Sequence, residues 1–168
     1  MKFFMKKNAK SFGVWKKSTT FAIANEQEAI ARNKLVETIT EGIQEKKGKN
    51  IVIADLSGID GAIAQYFIIC QGNSPAQVEA IAESVGDMVR ERMGEKPVGV
   101  VGLETDQWVA IDFVDALVHI FLPEVREFYD LEHLWEDAHL TRIPDLDWYI
   151  HLIIYIIYSY HEQFQSQR

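Results

Sequence analysis

The stretch that most constrains the fold is residues 107–135, QWVAIDFVDALVHIFLPEVREFYDLEHLW. Gln107–Asp112 and Ala116–Leu122 are strand-length runs rich in β-branched and aromatic residues, and only Phe113, Val114 and Asp115 separate them. So short a connection cannot carry a parallel crossover, so the two runs predict an antiparallel pair. Strict alternation places Trp108, Ala110 and Asp112 on one face and Val109 and Ile111 on the other. The aliphatic pair belongs in a core. A tryptophan sharing a face with a carboxylate points instead to an open, adhesive surface. Pro123 then stops the second strand, and an aromatic-rich helical tail follows.

The upstream chain is punctuated as clearly. Leu35, Val36, Ile39 and Ile43 recur at helical spacing within 27–47, with Gly48 where a C-cap belongs. Ile51–Leu56 is an apolar run of strand length closed by Ser57-Gly58, and Gln65–Cys70 is a second. Ser74 is then placed to cap a helix, with Pro75 at its first position and Gln77 at capping-box spacing. Val78, Ile81, Val85, Met88 and Val89 form the buried stripe of that helix, which Gly94 ends. Pro97–Val101 precedes the pair already described. The order α-β-β-α-β-β-β-α predicts an α/β domain with a five-stranded mixed sheet. Its second and third strands can run parallel around the Pro75–Met93 helix, and the others antiparallel.

Composition narrows the functional classes. A chain of 168 residues with 48% hydrophobic and 25% charged residues suits one ordinary globular domain with a real core. Its single cysteine, Cys70, excludes an internal disulfide framework and fits a reducing compartment such as the cytoplasm. A net charge of −8 argues against a broad phosphate-binding surface and for a basic protein partner. Residues 1–25 hold six lysines and no acid, so the remainder stands at about −14. Residues 1–26 therefore read as a basic leader, either disordered or a targeting segment. Residues 147–168 form an apolar C-terminal extension. Its uncharged run from Trp148 to Tyr160 is too short for a membrane helix, which needs about 20 residues. Strand-like packing, a membrane-surface contact and a non-native extension remain open for it.

Catalytic signals are weak. Cys70 lies inside an apolar strand, where a thiol is a small buried hydrophobe. His119 sits between Val118 and Ile120, a position for a core or supporting histidine rather than a general base. His133 and His139 lack metal-ligand spacing. The best enzymatic alternative is a nucleotidyltransferase-like enzyme binding a nucleotide with magnesium, with Gly72-Asn73-Ser74 opening a helix toward a phosphate. Such enzymes need paired carboxylates on a strand, yet Asp145-Leu-Asp147 follows Pro144 in the tail, and Asp112 and Asp115 flank a turn.

Taken together, Trp108-x-x-x-Asp112, His119-Ile-Phe and Arg126-x-Phe-Tyr129-x-Leu-Glu132-x-Leu-Trp135 resemble the Iojap-like ribosomal silencing factor family. Gly48-Lys-x-Ile-x-x-x-Asp55 and Phe67-Ile-Ile-Cys-x-Gly-x-Ser74 fit it too, and the resemblance covers roughly residues 33–146 of a 27–146 domain. It implies a nucleotidyltransferase-like scaffold without chemistry, needing no cofactor and no metal. It also implies binding to the large ribosomal subunit through a basic ribosomal protein (number fourteen) at the intersubunit face. That would block subunit joining and repress translation. Direct nucleic-acid binding and membrane association are not expected, and a homodimer is possible. The positions matching the family's contact strand are Trp108, Asp112, Phe113 and Asp115. The family often has a small residue or glycine before Asp115, where this chain has Val114. Arg126, Tyr129, Glu132 and Trp135 match the family tail at spacings that suit packing of a short helix onto the sheet.

Overall fold

The computed structural model describes residues 29–135, 137–145 and Ile153. The basic leader and, Ile153 apart, the extension from residue 147 onward lie outside the described residues. A helix over residues 29–45 (α1) is followed by β1 (Lys49–Asp55), β2 (Tyr66–Gln71) and α2 (Pro75–Met93). Next come β3 (Gly99–Val101), β4 (Trp108–Asp112) and β5 (Ala116–Phe121). The short helices α3 (Pro123–Tyr129) and α4 (Leu131–Leu134) lead into β6 (His139–Ile143).

These strands form one mixed sheet in the order β3-β4-β5-β2-β1-β6. It has six strands, not the expected five. The additional strand, β6, pairs antiparallel with β1, placing Ile143 beside Ile51 and Leu140 beside Ala54. Leu140 packs on one side of the sheet and Ile143 on the other, so the strand has no apolar alternation to betray it. β2 and β5 form the parallel pair, from Tyr66–Ala116 to Gln71–Phe121. Following the pair directions across the sheet, β3 runs the same way as β2, as the α2 crossover between them requires. They are not neighbours, however, because the β4–β5 hairpin inserts between them.

Local chemistry explains the helix ends. Ser74 caps α2, its hydroxyl accepting the Gln77 N–H at 3.3 Å, and Pro75 needs no partner at the first position. Gln77 reaches back to accept the Asn73 N–H at 2.8 Å. Its amide also donates to the Lys46 and Lys47 carbonyls at 2.9 and 3.1 Å. One side chain thus serves the start of α2 and the unpaired carbonyls at the end of α1. Gly94 ends α2 in the left-handed region (φ 71°), where it carries no Cβ penalty, and donates to Arg90 O at 3.0 Å. At the end of α1 the left-handed residue is Lys47 (φ 58°) rather than the expected Gly48. Gly48 follows it and closes the turn by donating to Ile43 O at 2.9 Å.

Both long helices cover one face of the sheet. Leu35, Ile39 and Ile43 from α1 and Val78, Ile81, Val85 and Val89 from α2 interlock with Ile51, Ile68, Cys70, Val109, Ile111, Val118 and Ile120. Each buried side chain of this size contributes roughly 1.5–3 kcal/mol from removal of apolar surface from water. The helices approach so closely that a Cβ on Gly42 would lie 2.9 Å from Val85 Cα. The opposite face is covered less completely. Phe67, Ala54, Leu56 and Ala64 gather there with Ile59, Leu117, Trp135 and Leu140.

Candidate functional site

β4 has the alternation read from its sequence. Val109 and Ile111 are fully buried against the helices, while Trp108, Ala110 and Asp112 lie half-buried on the other side. Trp108 is less open than its pattern suggested. Its ring stacks on Phe121, the cross-strand partner, at 4.9 Å and 23°, and Tyr129 of α3 leans on it at 4.7 Å. The indole N–H donates to His119 Nδ1 at 3.2 Å. That bond leaves the proton of the neutral imidazole on Nε2, which is buried and has no hydrogen-bond partner. Burial holds the His119 pKa well down, from 6.5 to about 4. His119 is a supporting residue under the tryptophan, not a base.

Arg126 fixes α3 in place over this cluster. It is buried, donating to Glu132 Oε1 at 2.5 and 3.0 Å and to Gln71 Oε1 at 3.3 Å. Trp135 meets Phe67 edge-on at 5.2 Å. The tail residues Arg126, Tyr129, Glu132 and Trp135 therefore pack within the molecule, as their spacing implied. One neighbour was missed. Phe128 is 80% exposed and lies edge-on to Tyr129 at 5.1 Å, so Trp108, Tyr129 and Phe128 form an aromatic edge of rising exposure. Glu124, Glu127 and Asp130 occupy the same short helical segment and its end. The Arg-x-Phe-Tyr order carried this signal, since Phe128 falls outside the spacing that turns Arg126 and Trp135 inward.

The other three expected contact residues lie at the far end of β4, roughly 13 Å from Trp108 by strand rise. Asp112 Oδ1 accepts the Val114 N–H at 2.7 Å. Asp115 is half-buried and accepts from Gln65 Nε2 at 3.4 Å, and its carbonyl receives the N–H groups of Gln65 and Tyr66. Phe113 is only 6% exposed and packs with the helix-side core. It lines a cleft of about 430 Å³ with Ala31, Arg32, Leu35, Gln65, Glu95 and Asp115. The sheet thus places Trp108 and Asp112 on one face, but turns Phe113 to the other.

The chain matches the family described as "Ribosomal silencing factor during starvation" over residues 27–151. It belongs to the ribosomal silencing factor family. It is 40% identical over 103 residues to the ribosomal silencing factor of Bacillus subtilis, covering 61% of this chain and 83% of that protein. The chloroplastic Iojap protein of maize is 34% identical over 80 residues, 48% of this chain and 34% of that longer protein. Among solved structures, a Chromobacterium violaceum protein superposes with a TM-score of 0.59 at 36% identity, covering 62% of this chain and 85% of that one.

Among the described residues, Cys70, Ser74 and Asp145 serve the structure. Burial pushes the Cys70 thiol up to about 12, which keeps it protonated and unreactive. The Ser74 hydroxyl is occupied by its own helix. Asp145 accepts the Asn50 N–H at 2.9 Å and pairs with Lys49 at 3.7 Å, while Asp147 lies outside the described residues. Among the described residues no group of three or more His, Cys, Asp or Glu side chains is arranged to hold a metal ion. None of the described helices is long and apolar enough to cross a membrane.

Proposed function

We propose that this silencing factor works by occlusion. Seated on the large ribosomal subunit through a basic ribosomal protein (number fourteen) at the intersubunit face, the folded domain blocks approach of the small subunit and so represses translation. No bond is made or broken. The observation that carries this reading is the aromatic edge Trp108–Tyr129–Phe128, set among acidic side chains on the less covered face of the sheet. Exposed aromatic rings supply large contact area at low entropic cost and dominate interface energetics. The acids around them, in a chain of net charge −8, speed encounter with a basic partner and fix its orientation. Asp112 and Asp115 extend the acidic rim along β4 and its turn. Action in the cytoplasm belongs to the same proposal.

Cosedimentation tests it. The purified chain is expected to pellet with isolated large subunits and not with small ones, and to reduce formation of the joined ribosome when added first. Equal pelleting with both subunits, or undiminished joining at saturation, would sink the reading.

A further inference from the structure

The turn joining β4 and β5 holds a conformation that packing does not explain. Val114 has φ 71°, in the left-handed region that a β-branched residue very rarely enters. The Asp115 N–H donates to Phe113 O at 2.9 Å across it, closing a γ-turn of the rare, strained, positive-φ kind. Asp112 Oδ1 takes the Val114 N–H at 2.7 Å, and the Phe113 N–H donates to Ala116 O at 2.9 Å. Both bonds lock the strained form. The Val114 side chain gains little burial in return, being 63% exposed. Strain that the core does not offset, at a position projecting into solvent, is the pattern found at binding sites.

We infer that Val114 is a specificity-determining contact, an apolar prong held forward by the strained turn. Its seat on the partner is a shallow apolar depression rimmed by lysine or arginine. The rim chemistry follows from Asp112 and Asp115, the half-buried carboxylates on either side of the prong, and from the acidic balance of the chain. This inference rests on the proposed docking to the large subunit and adds a second contact, at the far end of β4 from the aromatic edge.

The test compares the full chain with its Val114→Gly, Val114→Asn and Val114→Ile variants by thermal unfolding and by titration against isolated large subunits. Glycine and asparagine tolerate positive φ, so both variants should unfold at or above the wild-type temperature. They should nevertheless bind about tenfold more weakly, while Val114→Ile, which keeps a branched apolar tip, should bind like wild type. A folded glycine or asparagine variant that binds within about twofold of wild type overturns the inference. If the wild-type chain itself ignores large subunits, the docking proposal fails and this contact fails with it. If wild type binds and the variants bind equally, only the Val114 contact falls.

Discussion

The two faces of the sheet solve the burial problem differently. On the helix side, aliphatic side chains from α1, α2 and alternate strand positions interlock with essentially no exposure. On the other side the cover is aromatic and polar: Trp108, Phe121, His119, Phe67 and Trp135, with the Arg126–Glu132–Gln71 network laid over them. An aliphatic core tolerates little change of volume, and it fixes the fold. The aromatic cluster holds a buried, unpartnered imidazole N–H beneath half-buried indoles, and its outer rings lie at the surface, where a partner can cover them. The first face specifies the domain. The second is the face proposed for recognition.

Substitution at neighbouring positions of β4 is the strongest test of that contrast. Ile111→Ala opens a cavity on the helix side and should cost roughly 2–5 kcal/mol in chemical unfolding, with binding to large subunits retained wherever the protein remains folded. The opposite face has a pH signature instead. Because His119 is held near 4 when folded and titrates near 6.5 when unfolded, the unfolded chain takes up the proton first as pH falls. Stability contributed by the neutral imidazole is therefore complete above about pH 6.5 and is lost toward pH 4, a change on the order of 3 kcal/mol. His119→Gln should flatten the stability curve across that window, and an unchanged acid limb would mean that His119 is not buried neutral. Trp108→Ala should cost about 2 kcal/mol, from the lost ring contacts and the unsatisfied His119 Nδ1, and should also weaken binding about tenfold. Smallest is Gln77→Ala. It unties the end of α1 from the start of α2 and should lower stability by about 1 kcal/mol without touching affinity.

What was legible in the chain follows the same division. Strong local signals translated directly: the Ser74-Pro75-x-Gln77 helix start, the Gly94 stop, and the alternation of β4. The helix-side core was readable because aliphatic periodicity reports one covered face. The other face was not, because its cover comes from residues far along the chain. Nothing local to Trp108 says that Tyr129 will lean on it or that His119 will accept its N–H. β6 escaped because an edge strand that gives one apolar side chain to each face has no period. Phe113, a contact position only by the resemblance, continues the Val109–Ile111 alternation and is buried in the helix-side core. Family resemblance suggested the proposed partner, and the geometry added the exposed Phe128, which the pattern of the tail had hidden among packing residues.

Phe128 offers the most direct test of the aromatic edge as the docking surface. At 80% exposure its removal should change stability by no more than about 0.5 kcal/mol, so any loss of binding cannot be blamed on unfolding. The measurement is a titration of the wild-type chain and Phe128→Ala against isolated large subunits, followed by addition of small subunits to score joining. Wild type should saturate the large subunit and prevent joining, while Phe128→Ala should need about tenfold more protein for both effects. A fully folded Phe128→Ala that binds and blocks joining like wild type would contradict the placement of the contact on this face.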